Sequence, residues 1–166
     1  EGGRDYNTTE ITEHTLRNVY MPPFRKALEH GCLTTMSSFN ELNGEPPSGS
    51  HRLLTELLKE ELGFAGMIVS DWAAVTELIA HGIAANNSEA ARIAINAGLD
   101  MEMVSRAFLE SLEDLLETEA VSLERLDDAV RRVLRIKFCF GLFDDPYTAI
   151  RPEALEITPK ARSLAR

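Results

Sequence analysis

The stretch "GFAGMIVSDWAAVTELIAHG", Gly63 to Gly82, decides the fold class. Met67-Ile68-Val69 is an apolar run, too short and too continuous for a surface hairpin. A strand apolar on both faces implies a parallel sheet covered by helices. The run breaks at Ser70, Asp71 and Trp72, after which Ala73 to Ala80 reads as a short helix. A carboxylate and the single tryptophan of the chain therefore stand where a strand hands over to a helix.

The same strand–loop–helix rhythm extends both ways from this stretch. Upstream, Leu33 to Ser38 is a strand, followed by the turn-rich loop "FNELNGEPPSGS". His51 to Leu62 is a helix with one apolar face from Leu53, Leu54, Leu57, Leu58 and Leu62, stopped by Gly63. Before that strand, Thr12 caps a helix through Tyr20. Pro22 and Pro23 suit the first turn of a second helix, which ends at Gly31. Downstream, Ser88 is expected to cap "EAARIAINAG", which ends at Gly98. Leu99 to Met103 is a third strand. Helices follow over Arg106 to Thr118 and, capped by Ser122, over Leu123 to Phe138. Three such repeats predict an α/β fold of parallel strands with right-handed crossovers. No GxGxxG follows the first strand and no GxxxxGK[ST] occurs, which disfavours a nucleotide site. The remaining architecture is a partial (β/α)8 TIM-type barrel of about three βα units, since a complete one takes roughly 250 residues.

Composition narrows the function classes. The chain has 166 residues, 44% of them hydrophobic, and a net charge of −10 from 27 acids against 17 bases. With no basic stripe, nucleic acid is not an expected partner. No apolar run approaches ~18 residues, so no membrane span is expected. The four histidines show no HExxH spacing, and Cys32 and Cys139 form no CxxC pair. No metal and no other cofactor are predicted, and the two cysteines are expected to be buried free thiols.

In a βα protein, chemistry gathers at the C-terminal ends of the strands, where Asp71 stands. A plainer alternative is that Asp71 caps the helix after it, and that Trp72 is core or barrel-rim filler. The pair together suits a sugar site, with the apolar face of a pyranose on the ring and the carboxylate at the anomeric carbon or a hydroxyl. Asp100 and Glu102 are expected to face one side of the third strand. Glu41 is expected to be a solvated loop acid.

The segments "MSSFNELNGEPPSGSHRLLTELLKEELGFAGMIVSDWAAV", "HG", "EAARIAINAGLDMEM" and "RRVLRIKFCFGLFDDPY" resemble glycoside hydrolase family 3, the β-glucosidase group. The likeness runs from "GGRDYN" to the final stretch. It implies that residues 1–147 are the C-terminal part of a (β/α) barrel domain and that 148–166 are a linker toward a following domain. It also implies a retaining mechanism with Asp71, of the "SDW" motif, as nucleophile. Such enzymes use two carboxyl groups about 5–5.5 Å apart, one attacking the anomeric carbon and one protonating the leaving oxygen. Hydrogen-bond donors or a cation are expected beside Asp71 to hold it ionised. Trp72, Phe39 and Met36 fall on positions that line the sugar pocket in the family. Many members carry Tyr where Phe39 stands, and Phe39 lacks that hydroxyl. Trp72 leans toward glucose.

The resemblance thus implies an exo-acting β-glucosidase that removes terminal glucose from a β-glucoside or oligosaccharide. The acid/base glutamate of the family lies in a later domain, and a supporting Lys-His pair lies earlier than Glu1. The chain is therefore expected to be a stretch of a longer polypeptide, inactive alone. Its expected partners are the remainder of the barrel and the following domain. The alternatives are a β-xylosidase or β-N-acetylglucosaminidase of the same family, or a non-catalytic partial-barrel module for binding or assembly.

Overall fold

The computed structural model describes residue 4, residues 6–147 and residues 157–165. Two compact units divide the chain, Glu1–Ile136 and Lys137–Arg166.

The first unit is built on three parallel strands in the order β1-β2-β3: β1 (Thr34–Met36), β2 (Met67–Trp72) and β3 (Met101–Met103). The α/β class and the parallel direction are those expected from the sequence. Thr34, Thr35 and Met36 pair with Met67, Ile68 and Val69. Val69 pairs with Met101, and Trp72 pairs with Met103 across a register shift. Along β2, Ile68 and Ser70 are fully buried, while Met67, Val69 and Asp71 are only partly covered. Alternate residues point to opposite faces, so the helices cover the Ile68 face and leave the Asp71 face open.

The covering layer explains its own composition. Ala90, Ala91, Ala94 and Ala97 of α4 (Asn87–Ala97) are buried. Their small side chains let α4 lie close to α5 (Ala107–Glu117). Leu54, Ile68, Val75, Leu78, Ile95 and Leu99 form the centre of the core. The helix cap is Asn86, whose side chain accepts from the Glu89 N–H, and not the Ser88 expected from the sequence. Both residue types cap well; the extended backbone at Asn86 (φ −160°, ψ 175°) selects it.

The N-terminal helical stretch is continuous, from α1 (Glu13–Thr15) through a π-helical segment Leu16–Tyr20 into α2 (Met21–Glu29). Thr12 caps it as expected. The helix read over His51 to Leu62 is present as Arg52–Glu61 but wound as a π-helix. Gly66 is needed for space: a Cβ there would overlap the Leu33 carbonyl and the Phe64 ring.

A buried ionic cluster sits at the N-terminal side of the sheet. Asp100, with no side-chain exposure, accepts from Lys59 Nζ at 2.8 Å, Arg125 Nη2 at 2.8 Å and the Ile68 N–H at 2.9 Å. Burial pushes the Lys59 amine below its ordinary value, against the pull of Asp100. Arg132 and Arg135 of α6 (Leu123–Cys139) donate to the carbonyls of Phe64, Ala65 and Gly66, bracing the turn that leads into β2.

In the second unit, a turn at Gly141 (φ 68°) brings Phe138 and Phe143 together at 4.3 Å. Asp144 and Asp145 donate their N–H groups to the Gly141 carbonyl, closing a turn just before Pro146. Within the stretch 148–166, the described part holds α7 (Pro159–Leu164), capped by Thr158. Pro152 lies outside the described residues. Both cysteines are free, but they are exposed and not buried as expected. Among the described residues no helix is long and apolar enough to cross a membrane.

Candidate active site

Asp71 stands within β2, which runs on to Trp72, two residues past the point where polarity rises. Ser70 explains why the strand survives its polar break. Its buried hydroxyl accepts the Met103 N–H at 2.8 Å and donates to the Asp71 carbonyl at 2.9 Å. The hydroxyl thus satisfies a ladder donor that the register shift would otherwise orphan. Such irregularities re-aim side chains next to sites.

The donor beside the Asp71 carboxylate is the Trp72 N–H, at 2.7 Å to Oδ1. The capping alternative is not what the structure shows. α3 (Ala74–Glu77) starts after Ala73, which takes a left-handed φ of 56° and offers no side-chain cap. Instead Ser105 Oγ accepts the Thr76 N–H at 3.3 Å. A non-glycine residue in the left-handed region is uncommon and costs energy. Here it turns the chain sharply straight after Asp71-Trp72.

Trp72 is 61% exposed at the strand end, so it is not core filler. Met36 is 48% exposed and pairs with Val69, two residues before Asp71. It therefore shares the open face with Asp71 on the neighbouring strand. Phe39 lies just past β1, half-buried, with its ring stacked on Tyr6 at 4.5 Å and 21°. The sheet thus gathers Asp71 and Met36 on one face, with Trp72 at the end of β2 and Phe39 just past the end of β1. A cleft of about 710 Å³ holds Met36 but neither Asp71 nor Trp72. It opens beside β1, between Tyr20 and Phe24 on one side and Leu54 and Leu57 on the other.

Several residues at this rim were not singled out by sequence reasoning. Asn40 Nδ2 donates to the carbonyls of Arg4 (2.7 Å) and Asn7 (3.0 Å), and Asn43 exchanges two bonds with the Ile11 backbone. The "FNELNG" loop therefore straps the N-terminal segment across the strand ends. Glu41 is not solvated: its carboxylate meets His81 Nδ1 at 2.7 Å, both side chains being mostly buried. The Tyr6 hydroxyl donates to Glu77 Oε1 at 3.1 Å. The two Asn residues were visible as turn formers; their long-range partners were not.

Three further acids, Glu102, Asp100 and Asp128, hold structural partners. Glu102 accepts the Ala107 and Phe108 N–H groups at 3.0 and 2.9 Å and so caps α5. Burial raises its carboxyl above the ordinary value despite those bonds. Asp100 is the anchor of the ionic cluster. Burial opposes ionisation of Asp128, but Arg132, with Lys59 and Arg125, holds it below its usual value.

Residues 1–136 match the model of the glycosyl hydrolase family 3 N terminal domain. The chain is 42% identical over 153 residues to a periplasmic beta-glucosidase of Salmonella typhimurium, covering 92% of this chain and 20% of that protein. It is 36% identical over 157 residues to a beta-xylosidase of Formosa agariphila, covering 89% and 22%. The crystal structure of a beta-glucosidase from Listeria innocua in complex with glucose superposes with a TM-score of 0.93 at 36% identity, covering 99% of this chain and 23% of that one. The chain spans about a fifth of the length of the relatives it matches. Its three βα units are part of a TIM-type barrel, with β1 and β3 at the outer edges of the sheet. By fold and by sequence, the chain belongs to glycosyl hydrolase family 3.

Proposed function

We propose that the protein carrying this chain is a retaining exo-β-glycosidase that releases terminal β-linked glucose, with Asp71 as its nucleophile. The observation that carries the proposal is the placement of Asp71 at the C-terminal end of the central parallel strand, on the open face, next to an exposed Trp72. The Asp71 carboxylate attacks the anomeric carbon, the leaving oxygen takes a proton from the acid/base, and a glycosyl ester forms. Water then attacks the ester, giving up its proton to the same acid/base, and Asp71 is released. The Trp72 N–H, fixed on Oδ1, leaves Oδ2 as the oxygen for attack. Trp72 offers its ring to the apolar face of the sugar, while Met36 and Phe39 wall the pocket.

On this reading the acid/base glutamate comes from a domain following residues 148–166, which act as the linker, and residues 1–147 form the C-terminal part of the barrel. The cleft beside β1 receives the remainder of that barrel. The 166 residues alone are then inactive, because losing a positioned proton donor costs about 10²–10⁴-fold.

The test is mass spectrometry of the full-length protein after incubation with a 2-deoxy-2-fluoro-β-glucoside bearing an activated leaving group. One fluoroglucosyl unit is expected on the peptide containing Asp71, and none on the Asp71→Ala protein. Labelling of another carboxylate refutes the assignment of the nucleophile. Labelling by the corresponding fluoroxyloside alone makes the protein a β-xylosidase.

A further inference from the structure

We propose that Glu41 and His81 are a positioning pair for this site, fixing the loop that bears Phe39 to the segment that carries Asp71. The inference rests on the β-glucosidase reading above and adds two residues to it. Each acts through the loop it stands on, without touching the sugar. β1 and β2 are neighbouring parallel strands, so the loops leaving their C-terminal ends start side by side. The Ser37 N–H donates to the Val69 carbonyl at 3.0 Å, two residues before Asp71. Phe39 and Glu41 follow on that first loop. The second segment runs from Asp71 and Trp72 through α3 to His81, the histidine of the "HG" segment. His81 Nδ1 meets Glu41 Oε1 at 2.7 Å, with the two side chains only 15% and 24% exposed. The two links, Ser37 to Val69 and Glu41 to His81, close a ring of chain. Asp71, Trp72 and Phe39 all lie on that ring.

Both members of the pair have fixed backbones. The Glu41 carbonyl accepts the Thr9 N–H at 2.9 Å. The His81 N–H donates to the Glu77 carbonyl at 3.0 Å, and Gly82 turns the chain straight afterwards with a φ of 77°. The base of the first loop is held by packing instead. Pro47 and Ser48 are buried, and a Cβ on Gly49 would press on Ile83 and Leu78. The tip lacks such cover, for Asn43, Gly44 and Glu45 are exposed. Among the described residues, Glu41 to His81 is the one side-chain hydrogen bond between this tip and the segment after β2. Without it, Phe39 and Asp71 are tied to each other only at the sheet. Sites of this kind depend on supporting bonds, because a misplacement of about 1 Å can cost on the order of 10²-fold in rate.

The experiment measures how fast the full-length protein forms the ester with an activated 2-deoxy-2-fluoro-β-glucoside at saturation. Rates are taken per labelled site, so unfolded protein lowers the stoichiometry and not the rate. Glu41→Ala and His81→Ala are each expected to slow ester formation about tenfold. The double alanine variant should be no slower than either single one, since the same bond is lost in all three. His81→Asn, whose amide can donate from near the Nδ1 position, should recover to within about threefold of wild type. His81→Phe fills the space without a donor, so it should be slowed about tenfold even where the alanine variants fold poorly. Wild-type rates per site in the alanine and phenylalanine variants make the pair merely structural and overturn the proposal. A double variant slowed by the product of the two single effects overturns it as well, because the residues then act separately. A wild-type protein labelled at Asp71, with variants that match it, refutes this inference alone. One that takes no label from the glucoside refutes the β-glucosidase reading, and the inference falls with it.

Discussion

Replacing Asp100 by alanine tests whether the ionic cluster, more than the apolar layer, fixes β2 against β3. The substitution removes three bonds at once, leaving Lys59, Arg125 and the Ile68 N–H without their acceptor. Lys59 and Arg125 side chains are only 9% and 16% exposed, so water cannot replace what is lost. Removing one partner of a buried pair costs about 3–5 kcal/mol. Asp128 stands 3.8 Å from Lys59 and 3.1 Å from Arg125 and takes up part of their charge. That compensation is screened, because Asp128 is 43% exposed. The lower end of the range, about 3 kcal/mol, is therefore expected. Hydrogen exchange of the full-length protein reads this locally: amides in Met67–Trp72 should open roughly a hundredfold more readily. Asp100→Asn, which keeps one acceptor, should fall between. Acceleration below about tenfold in Asp100→Ala would refute the argument and assign the strand pairing to apolar burial alone.

Glu102 gives a pH test. Its folded carboxyl is raised above 4.5 by burial, so between 4.5 and its folded value the folded protein binds more protons than the unfolded one. Stability from this group is full below 4.5 and is lost as pH rises through the folded value. Glu102→Gln should remove that slope in unfolding measured from pH 4.5 to 7; an unchanged slope would place it elsewhere. At the start of α4, Asn86→Ala should cost about 1 kcal/mol and Ser88→Ala less than about half of that. Equal losses in thermal unfolding would show that the cap is shared.

The sheet was legible because its strands are bounded by strong signals: Gly31, Gly63 and Gly98 all take left-handed φ values. The reach of β2 was less so. A polar triplet after Val69 looks like a strand end, and only the Ser70 hydroxyl bonding Met103 across the sheet keeps the pairing going to Trp72. The leucine spacing over Arg52–Glu61 marks one apolar face but does not distinguish α from π winding. Asp71 and Trp72 stood out because a carboxylate and an indole at a strand end are chemically conspicuous. Tyr6 and His81 did not, because their meaning lies in partners 71 and 40 residues away, Glu77 and Glu41. Exposure of Cys32 and Cys139 was likewise set by packing that no local pattern encodes.

The arginine brace beneath β2 has a consequence for biosynthesis. The carbonyls of Phe64 and Gly66 wait for Arg132, 68 and 66 residues later in the chain. At roughly 5–20 residues per second, that delay is on the order of 3–13 s on the ribosome. For most of that interval the strand bearing Asp71 has been made while the clamp on its lead-in turn has not. Chains stalled just before Arg132 should therefore be cut by protease near Phe64, and chains stalled well after it should not. The timing postpones the final locking of this turn until α6 has been made.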